Sequence, residues 1–288
     1  MFVISGASGQ LGRAVVKKIL QYVPSNQVVA TCRDPSKVGD LVNMGVTVRY
    51  GDFMNPESLI QAFRGASQLL IVSSNARSHG GDPLSQHQNA IHAAQKVGVK
   101  RVVYTSHMAA SEFSAFPPMH DHFETEKMLK ASSLNWIALR HGFYGASGIS
   151  MVTKAFKMGS FEIAKDGPIS WTAHDDLAEA AAIILCDKSY KSGPTSPLTG
   201  PEALSFIDLL ELVTNETGKL IPINILPDEE LRANLVSNGL PARAANIILG
   251  LYIAARKGEF AQVDSTLANI LGRRPMTVEE LLKNTSNI

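Results

Sequence analysis

The stretch that decides the fold is MFVISGASGQLGRAVVKKILQY, residues 1–22. It joins a short apolar run, Phe2–Ser5, to a glycine-rich turn, Gly6–Gly12, and the turn opens into an amphipathic helix predicted over 11–22. A strand, a glycine-rich turn and a helix in this order form the first half of a βαβ unit. These residues therefore predict a parallel sheet that begins with the first strand.

The first half of the chain repeats this alternation of strand and helix. Its apolar runs are short and continuous, as expected of strands covered on both faces, and amphipathic segments lie between them. This pattern predicts an α/β protein with a Rossmann-type doubly wound parallel sheet. The predicted strands are Phe2–Ser5, Gln27–Thr31, Val46–Tyr50, Gln68–Ser73, Arg101–Thr105 and Asn135–Leu139.

After residue 140 the alternation ends. A helix is predicted at 175–187, a strand at Pro197–Thr199 and another at 220–226, and the pattern beyond 203 is mainly helical. We therefore predict a smaller, mainly helical substrate-binding lobe beside the sheet. The predicted division is 1–140 for the Rossmann domain, with 171–202 returning to it, and 141–170 and 203–288 for the lobe.

Composition excludes several classes of function. The formal net charge is +1, so a general basic field that would attract nucleic acid is not expected. Apolar runs stay well below the roughly 20 residues that span a bilayer. The two cysteines, Cys32 and Cys186, have neither zinc-ligand nor disulfide-framework spacing. Lone thiols and a start that runs straight into the glycine turn favour a cytoplasmic protein without a metal.

The glycine turn Gly6-Ala7-Ser8-Gly9-Gln10-Leu11-Gly12 is the strongest chemical signal. Its glycines permit a tight turn and a close approach of backbone amides to a pyrophosphate, while the helix amino terminus supplies free N–H groups. We predict that Gly6, Ser8, Gly9, Gln10, Leu11 and Gly12 bind a dinucleotide. The alternative is a tight βα turn without a ligand.

Arg33 follows the predicted second strand, about twenty residues after the glycine turn. A carboxylate at this position binds the ribose 2′-hydroxyl of NAD, whereas an arginine pairs with the 2′-phosphate of NADP. Arg33 therefore predicts NADP(H). The alternative is a surface arginine paired with Asp34.

Polar residues also follow the third, fourth and fifth strands. Ligands of open α/β sheets lie beyond the carboxyl ends of the strands, so these side chains should line the cofactor cleft. Asp52 has an alternative role in capping a helix that starts near Asn55-Pro56-Glu57. The predicted cleft residues are Asp52, Phe53, Ser73, Ser74, Thr105 and Ser106.

Together these motifs resemble the NmrA-like family, atypical short-chain dehydrogenases/reductases that include quinone oxidoreductases and triphenylmethane reductases. The resemblance covers essentially the whole chain and implies NADP(H) binding, a Rossmann domain and a small substrate lobe. Tyr144 is also among the expected cofactor contacts. The stretches that carry it are Gly6–Gly12, Arg33, Gly51-Asp52-Phe53, Tyr104-Thr105-Ser106, Glu124-Thr125-Glu126-Lys127 and Leu139-Arg140-His141-Gly142.

One position departs from the family pattern. Short-chain dehydrogenases use Tyr-x-x-x-Lys on a helix, where tyrosine is the acid and lysine binds the nicotinamide ribose; here the spacing holds Phe123 and Lys127. Phenylalanine cannot donate a proton. Lys127 is still expected to hold the ribose, with a solvated helix lysine as the alternative, and Ser106 is expected to contact the cofactor without relaying a proton.

Histidines near this helix give two further expectations. His107 follows Ser106 at the cleft, so it is the histidine to test as a replacement acid. His120-Asp121-His122 could suggest a metal site, but no third ligand is placed by spacing, and we interpret it as a helix start with surface histidines.

We therefore predict an NADPH-dependent oxidoreductase that transfers hydride to a small-molecule electron acceptor, a quinone or a similar conjugated electrophile. A ketone would develop a strongly basic alkoxide, whereas a quinone yields a delocalised phenolate that needs no strong acid. The rival hypothesis is a non-catalytic NADP(H)-sensing regulatory protein. An epimerase or dehydratase is a poorer match without the tyrosine. The sequence leaves a homodimer open.

Overall fold

The computed structural model describes residues 1–284, which form two compact units. The first unit contains 1–107, 121–141 and 174–196. The second contains 108–120, 142–173 and the described residues from 197 onward. The chain thus passes several times between the units, which are described in turn.

The first unit is built on a seven-stranded parallel sheet. Its strands are rich in β-branched and apolar residues and are largely buried, as expected for a sheet covered on both faces. Its strands are β1 Phe2–Ile4, β2 Val28–Cys32, β3 Thr47–Tyr50, β4 Gln68–Ile71, β5 Arg101–His107, β6 Asn135–His141 and β10 Gly193–Pro194. Their order, β3-β2-β1-β4-β5-β6-β10, confirms the doubly wound Rossmann type.

Helices connect these strands, and two of them begin with a capping side-chain oxygen followed by a proline. Asn55 and Asp82 cap their helices with a side-chain oxygen, and a proline occupies the first helical position after each. This combination satisfies a free N–H group and uses the fixed φ of proline. The helices are α1 Gln10–Ile19, α2 Gly39–Asn43, α3 Pro56–Phe63, α4 Pro83–Lys96, α5 Pro118–Ala131 and α7 His174–Cys186.

Arg101 fixes one helix to the amino end of the interior strand β5. It is 4% exposed, and its guanidinium donates to the carbonyl oxygens of Ile184, Leu185 and Asp187 at the end of α7. It also donates to Gln68 Oε1 at 2.8 Å. A cation at a helix carboxyl terminus satisfies carbonyls that have no partner within the helix and opposes the helix dipole.

The second unit has two small parallel strand pairs and a mainly helical remainder. Its core is aromatic, with Trp171, Phe206, Tyr252 and Phe260 all nearly inaccessible to solvent. The strands are β7 Phe143–Tyr144, β8 Phe161–Ala164, β9 Trp171–Thr172 and β11 Ile223–Leu226. The helices are α6 Gly145–Met158, α8 Phe206–Thr217, α9 Asp228–Ser237, α10 Ala242–Arg256, α11 Thr266–Leu271 and α12 Val278–Asn284.

The structure differs from the sequence predictions in several places. Segment 108–120, which the prediction kept within 1–140, belongs to the second unit because Phe116 and Met119 are buried in that unit's aromatic core. The strand-like stretch Pro197–Thr199 is reduced to a single bridge residue, Leu198, and the edge strand is Gly193–Pro194, paired with β6. Strand β8 was not predicted. In the part of the chain that the structure describes, no helix combines the length and apolar character needed to cross a membrane.

Candidate functional site

The glycine turn has the geometry that close approach of a ligand requires. Gly6 has a φ of +63°, a conformation that favours glycine, and its carbonyl oxygen accepts from Gly9 N at 2.9 Å. A Cβ on Gly12 would lie 2.4 Å from that same oxygen, so helix α1 can pack against the turn only with glycine there. Ser8, Gly9 and Gln10 are exposed, which leaves the outer side of the turn open.

Helix α1 starts differently from α3 and α4. Its N-cap is Gly9, which has no side chain to offer, and its first turn reads Gln10-Leu11-Gly12, without a carboxylate. The N–H groups at this end therefore have no side-chain cap, and the positive end of the helix dipole lies behind them. An anionic pyrophosphate fits this arrangement.

Arg33 is exposed directly after the last residue of β2. Asp34, the predicted alternative partner, is instead engaged by Ser36, whose hydroxyl donates to Oδ1 at 2.6 Å and lowers the pKa of Asp34. Lys37 Nζ lies 3.6 Å from Asp34 Oδ2. The carboxylate beside Arg33 thus already has a hydroxyl and an ammonium as partners.

Arg13 was missed by the sequence analysis. It lies one turn into α1, pairs with Asp40 and donates to the carbonyl oxygen of Lys37 at 2.6 Å. It therefore ties α1 to the segment that follows Arg33. Its position soon after the glycine turn was the signal that could have found it.

Asp52 and Phe53 follow β3, and neither of them caps helix α3. Asn55 caps α3, because its Oδ1 accepts from Ser58 N at 3.2 Å. Asp52 Oδ1 accepts from Met54 N at 2.9 Å, and the residue is half-buried. Phe53 is half-buried, and its carbonyl oxygen accepts from Asn89. Their contact with a cofactor stays a prediction.

The ends of β4 and β5 are tied together by Thr105. The backbone N–H of Ser73 donates to Thr105 Oγ1 at 2.8 Å, and that hydroxyl donates to Ser73 Oγ at 3.2 Å. Ser74 is held by two side chains of α4: its N–H donates to His87 Nε2 at 2.8 Å, and its hydroxyl bonds Gln86. The structure thus brings Ser73, Ser74 and Thr105 together at one edge of the sheet.

Ser106 does not present a free hydroxyl. Its Oγ donates to Glu126 Oε1 at 2.6 Å, and Arg140 binds the same carboxylate with Nε at 3.1 Å and Nη2 at 2.7 Å. Glu126 is 7% exposed. Glu126 was not predicted as a buried partner; its helical spacing of four from His122 was the available signal.

Phe123 and Lys127 lie beside this buried ion pair on α5. Lys127 Nζ bonds Glu124 Oε1 at 2.9 Å and lies 5.4 Å from the centre of the Phe123 ring. The Lys127 side chain is 58% exposed. The structure therefore shows the solvated conformation of Lys127, and its role toward the ribose stays a prediction.

The histidines differ from their expected setting. Burial lowers the pKa of His107 well below its usual range, so at neutral pH the ring can donate an N–H hydrogen bond but is not an imidazolium acid. His122 is not a surface histidine, because its Nδ1 lies 2.9 Å from the Tyr104 hydroxyl. His120 instead bonds the carbonyl oxygen of Ser114 at 2.8 Å, and Asp121 pairs with Arg77. Among residues 1–284, no group of metal-ligating side chains could hold an ion.

Tyr144 lies in β7 of the second unit. Burial raises the pKa of its hydroxyl to about 12. A phenol with this pKa remains protonated at neutral pH and acts as a hydrogen-bond partner. Its contact with the cofactor stays a prediction.

Most of the chain is similar to known proteins. A family model described as NAD(P)H-binding matches residues 6–183. Quinone oxidoreductase 2 of Escherichia coli is 33% identical over 289 aligned positions, covering 100% of this chain and 99% of that protein. An NmrA-like family domain-containing oxidoreductase of Aspergillus flavus is 27% identical, covering 98% and 94% of the two chains.

Two solved structures have the same fold over the whole chain. The NADPH complex of an Escherichia coli NADPH-dependent quinone oxidoreductase superposes with a TM-score of 0.91 at 33% identity, covering 100% of both chains. The NADP(H) complex of Citrobacter triphenylmethane reductase superposes with a TM-score of 0.87 at 29% identity, covering 99% of both.

Proposed function

The chain belongs to the NmrA-like family of NAD(P)H-binding proteins, and on that premise we propose an NADPH-dependent oxidoreductase acting on a quinone or a similar conjugated electrophile. When bound, NADPH supplies a hydride. The backbone of the glycine turn would hold the pyrophosphate, and Arg33 would hold the 2′-phosphate with Arg13 and Lys37 beside it. Lys127 would reach the ribose.

The observation that supports this acceptor class is the engagement of Ser106. Its hydroxyl donates a hydrogen bond to Glu126 Oε1, and Phe123 stands on α5 where short-chain dehydrogenases have a tyrosine. Reduction of a simple ketone develops an alkoxide that needs an acid beside it. Reduction of a quinone develops a delocalised phenolate, which is far less basic. The chain's own residues then have to orient the acceptor and stabilise a weak oxyanion.

The test is NADPH oxidation with a panel of quinones and simple ketones. We expect rapid turnover of quinones and slow or undetectable turnover of ketones, since a general acid typically contributes about 10²- to 10⁴-fold. Ketone reduction that is as fast as quinone reduction would contradict the proposal. Tight NADPH binding without turnover of any acceptor would instead favour the sensor hypothesis.

Two finer proposals concern setting and assembly. Both cysteines, Cys32 and Cys186, are free thiols, which supports a cytoplasmic location. Fractionation of the source cells tests this. A homodimer is the proposed assembly, and light scattering on a size-exclusion column would detect it.

A further inference from the structure

A cluster of hydrogen-bonding rings lies where β5 meets α4 and α5. Tyr104 is fully buried, with its hydroxyl 2.9 Å from His122 Nδ1. The His87 ring packs edge-on against Tyr104 at 5.3 Å between centroids, and the His107 ring lies 6.1 Å from that of His122. The proposed NADPH-dependent reduction assigns no role so far to Tyr104 or His122.

The His87 ring is neutral, and hydrogen bonds to both of its nitrogens fix its orientation in this cluster. The N–H of Ser74 donates to its Nε2 at 2.8 Å, so its proton must lie on Nδ1, which is 2.8 Å from Thr125 Oγ1. That hydroxyl in turn donates a hydrogen bond to the carbonyl oxygen of Asp121 at 2.7 Å. Every polar atom of the His87 ring is thereby occupied, and it cannot serve an incoming ligand.

Among the described hydrogen bonds, His122 uses only Nδ1, whereas His87 uses both of its ring nitrogens. A phenol is a stronger donor than a neutral imidazole N–H, and an imidazole nitrogen is the better acceptor, so Tyr104 donates to His122 Nδ1. The remaining proton of His122 then lies on Nε2. The ring is half-buried, whereas Tyr104 is inaccessible to solvent. Burial lowers the pKa of His122 to about 4, so the ring is neutral at pH 7.

The position of His122 is fixed by a second bond one helical turn away. Tyr104 and Ser106 project from the same face of β5, since alternate residues of a strand share a face. They bond His122 and Glu126, four residues apart on α5. This pair of bonds sets how α5 is rotated against the sheet and holds His122 near the carboxyl end of β5, where ligands of such sheets bind.

We propose that His122 is a catalytic residue whose Nε2–H donates a hydrogen bond to the oxygen that becomes anionic when the quinone is reduced, and that Tyr104 is its positioning residue. This inference rests on the proposed function, because the quinone supplies that oxygen. One hydride, carrying two electrons, moves from NADPH to the quinone, which gives NADP⁺ and a hydroquinone monoanion. A proton from solvent water then completes the hydroquinone, and His122 keeps its own proton throughout.

Neutral donors of this kind stabilise an oxyanion without releasing a proton. Loss of one oxyanion donor typically costs about 10²- to 10³-fold in rate. A hydroquinone anion is less basic than the alkoxides behind those values, so we expect His122→Phe to lose about tenfold or more.

The first test needs no turnover. Nitrogen-15 NMR of the histidine rings in the cofactor-free protein should show His122 as the Nε2–H tautomer, and Tyr104→Phe should mix the tautomers. Titration with 4-nitrophenolate should show about tenfold weaker binding in His122→Phe, and His122→Gln, which retains an N–H donor, should recover part of it. His92→Phe, at an exposed position of α4, is the matched control and should bind normally.

The second test compares acceptors. Methyl-substituted benzoquinones give more basic hydroquinone anions and should lose more rate in His122→Phe than unsubstituted benzoquinone. A cationic triarylmethane dye becomes neutral on accepting hydride, so its reduction should be unchanged. An Nδ1–H tautomer, unaltered phenolate binding, or equal losses for quinones and dye would overturn the inference. If the wild type reduces no acceptor, the proposed function fails, while the tautomer and phenolate results still decide the role of His122.

Discussion

Two regions at the carboxyl ends of the strands differ in whether their polar groups are exposed or already bonded within the protein. At the glycine turn, backbone N–H groups, Ser8 and Gln10 remain exposed, and Gly9 leaves the start of α1 without a side-chain cap. At the end of β5, Ser106, Glu126 and Arg140 bond one another and are largely removed from solvent. The first region suits an anionic ligand, because its N–H groups have no side-chain cap. The second holds a helix in register, so substitutions should affect binding in one region and stability in the other.

The largest expected effect is Gly9→Val in the glycine turn. The backbone at Gly9 is extended, with φ −83° and ψ 165°, which valine can adopt, although its Cβ would lie 3.3 Å from the Gly6 carbonyl oxygen and the turn would have to shift slightly. Its side chain would cover the N–H groups, and we expect NADPH affinity to fall at least about a hundredfold with little loss of stability. Calorimetric titration and thermal melting check this. A folded variant with normal affinity would show that the phosphates bind elsewhere.

Arg33→Ala sharpens the comparison within the binding region. A charge-assisted bond contributes about 1.5–3 kcal/mol, so we expect NADPH affinity to fall roughly 10- to 100-fold and NADH affinity to stay unchanged. Titration of both cofactors measures the ratio. Arg64→Ala, an exposed arginine at the end of α3, is the control. Equal losses for both cofactors would remove the 2′-phosphate assignment.

Glu126→Gln tests the stability region. It leaves the Arg140 guanidinium without its anion, and breaking a buried pair costs about 3–5 kcal/mol. Because the Arg140 side chain is 29% exposed, we expect a smaller loss of about 2 kcal/mol in the free energy of unfolding. Urea unfolding measures it, and adding Arg140→Gln should restore part of the stability. A variant as stable as the wild type would show that this pair does not hold α5.

Acid should destabilise the folded chain through His87, which joins Ser74 after β4 to Thr125 of α5. Burial lowers the pKa of His87 to about 3 from an ordinary value of 6.5, so the unfolded chain binds a proton that the folded chain does not. Stability is then complete above pH 6.5 and falls as the pH drops below it. The slope is up to about 1.4 kcal/mol per pH unit for this residue. Urea unfolding between pH 7 and about 5 should show a shallower slope in His87→Gln than in His92→Gln.

Lys127→Ala should have the smallest effect on stability. Its ion pair with Glu124 is exposed, and such pairs contribute about 1 kcal/mol or less. If Lys127 turns toward the ribose when the cofactor binds, the KM for NADPH should rise several-fold while the unfolding free energy is nearly unchanged. Lys130→Ala, one turn further along α5, is the control. An unaltered KM would leave Lys127 as a solvated lysine.

The contrast between the regions also explains what the sequence could predict. The glycine turn is local: strand, turn and helix follow within twenty residues, so β1, α1 and the exposed turn residues could all be identified. Arg33 was identifiable for the same reason, because its distance from the turn carries the information.

Features that depend on distant residues were missed. In the sequence Glu126 has the pattern of an ordinary helix glutamate, and only in the fold do Ser106 of β5 and Arg140 of β6 bind it. His122 reads as a surface histidine until Tyr104 reaches it from β5. Strand β8 has only Phe161–Ala164 and exists because β11, some sixty residues later, pairs with it. No local pattern contains these pairings.

Arg101 has a consequence for how this protein would exchange its amide hydrogens. Its bonds fasten the end of α7 to β5, and α7 packs along α1, with Lys18 bonding Glu179 at 3.0 Å. Strand, α7 and α1 should therefore open as one cooperative unit. The N–H groups at the start of α1 are themselves uncapped and should exchange quickly, but they are carried on a segment that stays ordered, so little ordering entropy remains to be lost on cofactor binding. Calorimetry should find that association is favoured without a large entropic penalty.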